Sequence, residues 1–348
     1  MWPSVLWVSK HDRPERAGQG PSDAYCVRPG GIHDMEATLV KRVLVAASLI
    51  ALSRLPAIAQ QPIDYSKFDI RTTDLGHGVY LLGWQGGDSL ILVGDDGIVL
   101  VDTSVAPMGD KIRAAIARVS NKPIKVIINT HAHHDHIGAN EAMAKGGALI
   151  VAHDNLRDRM TKGFTALNRT IPPAPPAALP AVTYADAMTI HFGGETVQLF
   201  HPSRAHTDSD TLVYFRRANV LHASGTIGGE GGYPFFDIAS GGSLAGMIVA
   251  EEQMLSLADG QTKIVPDEGD PASTETLKAY RDMLVALRAR VQKLVDEGKS
   301  EDEAVAAKPT RDFDARFVQR GSAFTGDRMT RLAYQSLKTA RPGDTNTR

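Results

Sequence analysis

The sequence predicts an α+β fold in which sheets pack on one another and helices cover them. Three observations lead there. Short β-type runs come in two batches, at 78–103 and 187–223, and helical periodicities lie between and after them, at 107–120, 243–258 and 273–295. The composition, 43% hydrophobic and 22% charged over 348 residues, is that of a globular chain with apolar residues enough for a large core. Strands and helices segregated along a chain are the mark of packed layers.

A leader precedes the first strand. From Met35 the chain reads MEATLVKRVLVAASLIALSRLPAIAQQ, with a basic pair at Lys41 and Arg42, an apolar run at 43–52 and the small-x-small site Ala57-Ile58-Ala59. This order of parts is that of a secretory signal peptide, and the run is too short to span a bilayer. The sequence therefore divides into a non-native upstream leader at 1–34, a signal peptide at 35–59, a folded domain at 60–340 and a disordered tail at 341–348. A periplasmic or secreted protein without a stable membrane anchor is expected. The only cysteine, Cys26, lies in the leader, so the mature chain offers neither a disulfide nor a thiolate.

In the mature chain, GVYLLGW, SLILV and GIVLVDT at 78–103 are short strands separated by Gly and Asp, with Asp95-Asp96-Gly97 the clearest hairpin turn. Ile112, Ile116 and Val119, spaced by four and three, mark a helix over 107–120. PIKVIIN at 123–129 is a continuous apolar strand, followed by a short helix at 139–145 and a buried strand at 148–152. The stretch 164–183 contains PPAPPAALPAV and reads as a long surface loop or flap, because proline removes backbone donors. Strands resume at 187–192, 195–200, 211–216 and 219–223, and another lies at 262–266. Leu277, Tyr280, Leu284, Leu287, Val291 and Leu294 form one stripe of the long helix at 273–295.

The chemistry is concentrated where the 123–129 strand ends. Residues 130–140 read THAHHDHIGAN. In this H-x-H-x-D-H spacing His131 and His133 can converge on one cation, while Asp135 and His136 project to a neighbouring point. Imidazole and carboxylate are good zinc ligands. His134, lying between them, is not expected to ligate. His201 and His222 fall on strand-like runs and read as satisfied or surface residues. Ser203 and Ser224 have neither a nucleophile elbow nor an evident base, and Gly-rich 228–232 lacks the context of a phosphate loop.

These motifs resemble those of the metallo-β-lactamase-fold hydrolases. Val101-Asp102-Thr103 is similar to the family's loop-supporting aspartate, AHTDSD at 205–210 to its third-histidine segment, and YPFFDIASGG at 233–242 to a phrase of one exported branch. The resemblance covers about 70–340 and implies a four-layer αββα sandwich with metals in a cleft at one edge of the paired sheets. It implies that His206 joins His131 and His133 on one zinc, and that Asp135 orients water and shuttles a proton. Two departures concern the second site. Ser224-Gly225 stands where the family has a Gly-Asp pair whose aspartate bridges two metals, and Pro266-Asp267-Glu268-Gly269 stands where it has P-G-H-G. Asp135 and His136 are retained there, with Glu268 in the histidine's place as candidate third ligand. One tightly bound zinc and a weak or absent second ion are the expectation.

Together these features predict a zinc-dependent hydrolase of a small ester, lactone, thioester or lactam-like substrate. The competing expectation is a catalytically degenerate protein of the same fold that binds one metal. A net charge of −2 offers no basic field for nucleic acid, so a small-molecule substrate is the expected partner.

Overall fold

The computed structural model describes residues 63–167, 169–319 and 323–339. The leader, the signal peptide and the tail at 341–348 lie outside the described residues. Two sheets dominate. The first has seven strands in the order β1-β2-β3-β4-β5-β6-β9: β1 Arg71–Gly76, β2 Val79–Gly83, β3 Ser89–Gly94, β4 Gly97–Val101, β5 Ile124–Ile128, β6 Leu149–His153 and β9 Val182–Tyr184. Pairing is antiparallel from β1 to β4 and parallel from β4 through β5 and β6 to β9. The second sheet comprises β10 Ala187–Phe192, β11 Glu195–Phe200, β12 Leu212–Phe215, β13 Val220–His222 and β14 Lys263–Val265. It is antiparallel except for the β13–β14 pair. A separate hairpin joins β7 Phe164–Ala166 to β8 Arg169–Ile171.

Strand periodicity assigns the faces. Leu81, Leu90, Leu92, Val99 and Val101 of the first sheet pack against Val197, Leu199, Val213, Phe215 and Val220 of the second, forming the seam between the sheets. Their neighbours Leu82, Ile91, Ile98 and Leu100 point the other way. They meet Met108, Ile112, Ala115 and Ile116, the last three from helix α1 (Gly109–Val119). The outer face of the second sheet, through Leu212, Tyr214, Leu221 and Ile264, is covered by helices α5 (Leu244–Leu257), α6 (Thr274–Asp296) and α9 (Gly326–Lys338). Each fully buried aliphatic side chain contributes about 1.5–3 kcal/mol, which makes this apolar core the main stabilising term. The architecture is the expected four-layer αββα sandwich.

The remaining helices are short: α2 His134–Ile137, α3 Asn140–Ala144, α4 Asp154–Lys162, α7 Glu301–Ala306 and α8 Arg311–Phe317. Two elements differ from the sequence reading. The stretch 164–183 is more ordered than a surface flap, since it holds the β7–β8 hairpin and ends in β9, which extends the first sheet beside β6. Strand β1, polar and mostly exposed, carries too weak a pattern to be read alone; its pairing with β2 defines it.

Candidate metal centre

The strands deliver the site residues to one edge of the sandwich. Asp102 follows β4, the histidine cluster follows β5, His222 ends β13 and Asp267 follows β14. These four strands lie in the parallel pairs β4–β5 and β13–β14, so their carboxyl ends share an edge within each sheet.

Asp102 anchors the cluster. It is fully buried with φ of 60°, in the left-handed region that costs an ordinary residue about 1–3 kcal/mol. Its Oδ1 accepts from the Thr130 amide at 2.8 Å, and its Oδ2 accepts from Thr130 Oγ1 at 2.6 Å and from His136 Nδ1 at 2.7 Å. Here the structure agrees with the loop-supporting role that the resemblance implied for this residue.

Three imidazoles then converge. His131 Nε2 and His206 Nε2 each lie 3.1 Å from His133 Nδ1. The outward nitrogen of each ring is committed elsewhere. Thr130 Oγ1 gives its one proton to Asp102, so at 3.0 Å it accepts from His131 Nδ1. His206 Nδ1 donates to the Phe235 carbonyl at 2.7 Å, and His133 Nε2 donates to Asp237 Oδ2 at 3.2 Å. These partners fix the tautomers and leave three unprotonated nitrogens facing one another. Burial, reinforced by the neighbouring rings, holds His131 well below the usual histidine range and His206 at about 3, so neither ring relieves the crowding by protonation. A cation bound by three neutral imidazoles answers this arrangement, and the donor set suits zinc.

A second group lies alongside. The Nε2 of His136 is 3.9 Å from Asp135 Oδ2 and 3.7 Å from Asp267 Oδ2, and His131 Nε2 is 3.9 Å from that same Asp267 oxygen. His131, His136 and Asp267 are close enough to share an ion. Burial lowers the pKa of His136, but Asp267, Asp102 and Asp135 outweigh it and raise it well above the usual range. Burial pushes Asp267 up to about 7. Asp135 runs the other way: burial alone would raise it, but the charge on neighbouring His136 outweighs that and keeps it ionised.

All the candidate ligands named from sequence reach this place. His131, His133 and His206 form the first group, and Asp135 and His136 flank it. Glu268 lines the cleft, but the carboxylate brought to His131 and His136 is that of its neighbour Asp267. His134 turns outward to Arg169 Nη1, 2.9 Å away. His201 is half-buried, donates to the Asp210 carbonyl and stacks on His153, a structural role. His222 was set aside on sequence, yet it is buried with Nε2 4.0 Å from Asp267 Oδ1. Asp237 was also missed as the partner of His133; the YPFFD phrase contains it but does not reveal its contact.

Known proteins resemble this chain at two levels. A linear primary-alkylsulfatase from a Pseudomonas species is 24% identical over 253 residues, 60% of this chain and 47% of that protein. A type 2 metallo-β-lactamase from Bacillus cereus is 27% identical over 149 residues, 40% of this chain and 52% of its own length. The chain thus covers only about half the length of these relatives, both of which are hydrolases. A solved metallo-β-lactamase from Pontibacter korlensis superposes with a TM-score of 0.54 at 19% identity, covering 62% of this chain and 99% of that one, a likeness of fold. The family model for the metallo-beta-lactamase superfamily matches residues 82–291, more than half of the sequence, and the chain belongs to that superfamily.

Proposed function

We propose that this protein is a zinc-dependent hydrolase that directs activated water at a small ester, lactone, thioester or lactam-like substrate. The convergence of three unprotonated imidazole nitrogens on an open cleft of about 220 Å³ carries the reading. His131, His133 and His206 would hold one zinc tightly. When bound, zinc supplies Lewis acidity that lowers the pKa of water to roughly 7. Asp135 is the residue to orient that water and take up its proton: it stays ionised, and its Oδ1 has no hydrogen-bond partner.

The walls give a substrate room. Leu167, at the tip of the β7–β8 hairpin, lines one side of the cleft with Tyr233 and Phe235. A pocket of about 970 Å³, lined by Arg71, Trp84 and Tyr280, adjoins the cleft through Ile227, Gly228 and Glu268. The named activities of the alkylsulfatase and lactamase relatives support an ester or cyclic amide as substrate. We place the enzyme outside the cytoplasm, acting on small molecules rather than nucleic acid.

Zinc per chain, measured after exhaustive buffer exchange, and a panel of esters, lactones, thioesters, lactams and sulfate esters test this. One zinc and turnover of at least one class are expected, both lost in His131→Ala and His206→Ala. Full zinc occupancy in either variant refutes the ligand assignment. Zinc without turnover of any class selects a metal-binding protein that no longer catalyses, the reading to which the departures at Gly225 and Glu268 together point.

A further inference from the structure

Asp267 occupies the space between the two ligand groups. Its Oδ2 is almost equally far from a nitrogen of each, 3.9 Å from His131 Nε2 and 3.7 Å from His136 Nε2. An ion about 2.1 Å from each ligand holds neighbouring ligand atoms roughly 3.4 Å apart at the tetrahedral angle, so small shifts admit one. The other oxygen, Oδ1, is buried without a hydrogen-bond partner. The nearby His222 Nε2, 4.0 Å away, is equally unpartnered, and because His222 Nδ1 accepts from the Ser224 amide, Nε2 carries the ring's proton.

The room for this carboxylate comes from Gly225. A Cβ there would lie 2.6 Å from Asp267 Oδ2 and 2.7 Å from His206 Cδ2. The backbone of Asp267 is held in turn, its carbonyl accepting from the Asp88 amide at 2.8 Å while Asp88 Oδ2 accepts from the Gly269 amide at 3.0 Å. A carboxylate held by its backbone, with one oxygen in a glycine-made space between two histidine groups and the other buried without a partner, is placed as a ligand.

We propose that Asp267, not Glu268, completes a second cation site with His136 and Asp135, and reaches across to the three-histidine site as a shared carboxylate. His222, whose Nε2–H faces the other oxygen from 4.0 Å, is the residue that would close on it and position it when the carboxylate takes a cation. The set is two carboxylates and one imidazole, oxygen-rich, and so more receptive to manganese than three imidazoles are. The proposal rests on the three-histidine zinc reading.

The test starts from full-length protein loaded with one equivalent of zinc and titrated with Mn²⁺, free Mn²⁺ being followed by electron paramagnetic resonance. Wild type should take up one Mn²⁺ per chain with its zinc retained. Outer-shell partners alone are worth roughly 10–100-fold in metal affinity, so Asp267→Asn should weaken Mn²⁺ binding at least about tenfold while E268Q leaves it unchanged. Retained zinc in Asp267→Asn shows that the variant is folded; if it does not fold, His222→Gln, expected to weaken Mn²⁺ about tenfold, takes its place. Weakening by E268Q but not by Asp267→Asn overturns the proposal, as does zinc-loaded wild type that takes up no Mn²⁺. Wild type that fails to hold zinc at all overturns the underlying reading and this one with it.

Discussion

Gly225→Ala should damage the metal centre far more than its single added methyl suggests. Gly225 has φ of +73°, which costs a residue with a Cβ about 1–2 kcal/mol. The added carbon would also lie 2.6 Å from Asp267 Oδ2 and within 2.8 Å of two ring atoms of His206. That ring cannot swing clear cheaply, since its Nδ1 is tied to the Phe235 carbonyl at 2.7 Å. Overpacking of this kind adds about 1–3 kcal/mol. Gly298, just past the end of α6, supplies the control: it has the same φ of +73° and nothing within 4 Å of its missing Cβ. Gly298→Ala therefore carries the backbone cost alone, and the difference between the two variants isolates the clash. Thermal unfolding of metal-free protein should place Gly225→Ala roughly 2–10 °C below Gly298→Ala. Competition with a chromophoric chelator should show weakened zinc binding in Gly225→Ala only. Equal melting temperatures and equal zinc affinities in the two variants would refute the reasoning.

Three more outcomes are expected. Asp237→Asn removes the charge that orients His133 and should weaken zinc about 10–100-fold by chelator competition, with the far-ultraviolet circular dichroism unchanged. Glu251, fully buried with both carboxyl oxygens unpartnered, has its pKa raised well above the usual range, first by desolvation. In the unfolded chain it ionises near pH 4.5 while the folded protein keeps its proton, so stability falls as pH rises above that point, by up to about 1.4 kcal/mol per pH unit. Glu251→Gln should accordingly raise the melting temperature at pH 8 relative to wild type and leave it nearly unchanged at pH 4; the reverse order would exclude a protonated buried acid. N-terminal sequencing of protein exported by its native source should begin at or near Gln60, and a mature chain that retains residues before Met35 would exclude the signal-peptide reading.

Short-range pattern carried everything that could be read along the chain. His131, His133, Asp135 and His136 lie within six positions after an apolar strand, so their neighbourhood follows from local geometry, and the structure does bring them together. The layering was legible for a similar reason: short apolar strand runs in two batches, with the α6 stripe and other helical patterns between and after them, leave few ways to pack. His206 needed the resemblance, since nothing in 205–210 taken alone says that it meets a histidine 73 positions earlier. Only folding in three dimensions chose between Asp267 and Glu268 as the carboxylate that joins Asp102 and Asp135 beside His136. Asp267 and Glu268 are adjacent and chemically alike, and the choice depends on the register of the loop after β14. That register is held by Asp88, about 180 positions away, through hydrogen bonds to the Asp267 carbonyl and the Gly269 amide. The same long-range packing turned two departures read separately, at 225 and 267–268, into one arrangement, because the space left by the absent side chain is the space the Asp267 carboxylate fills.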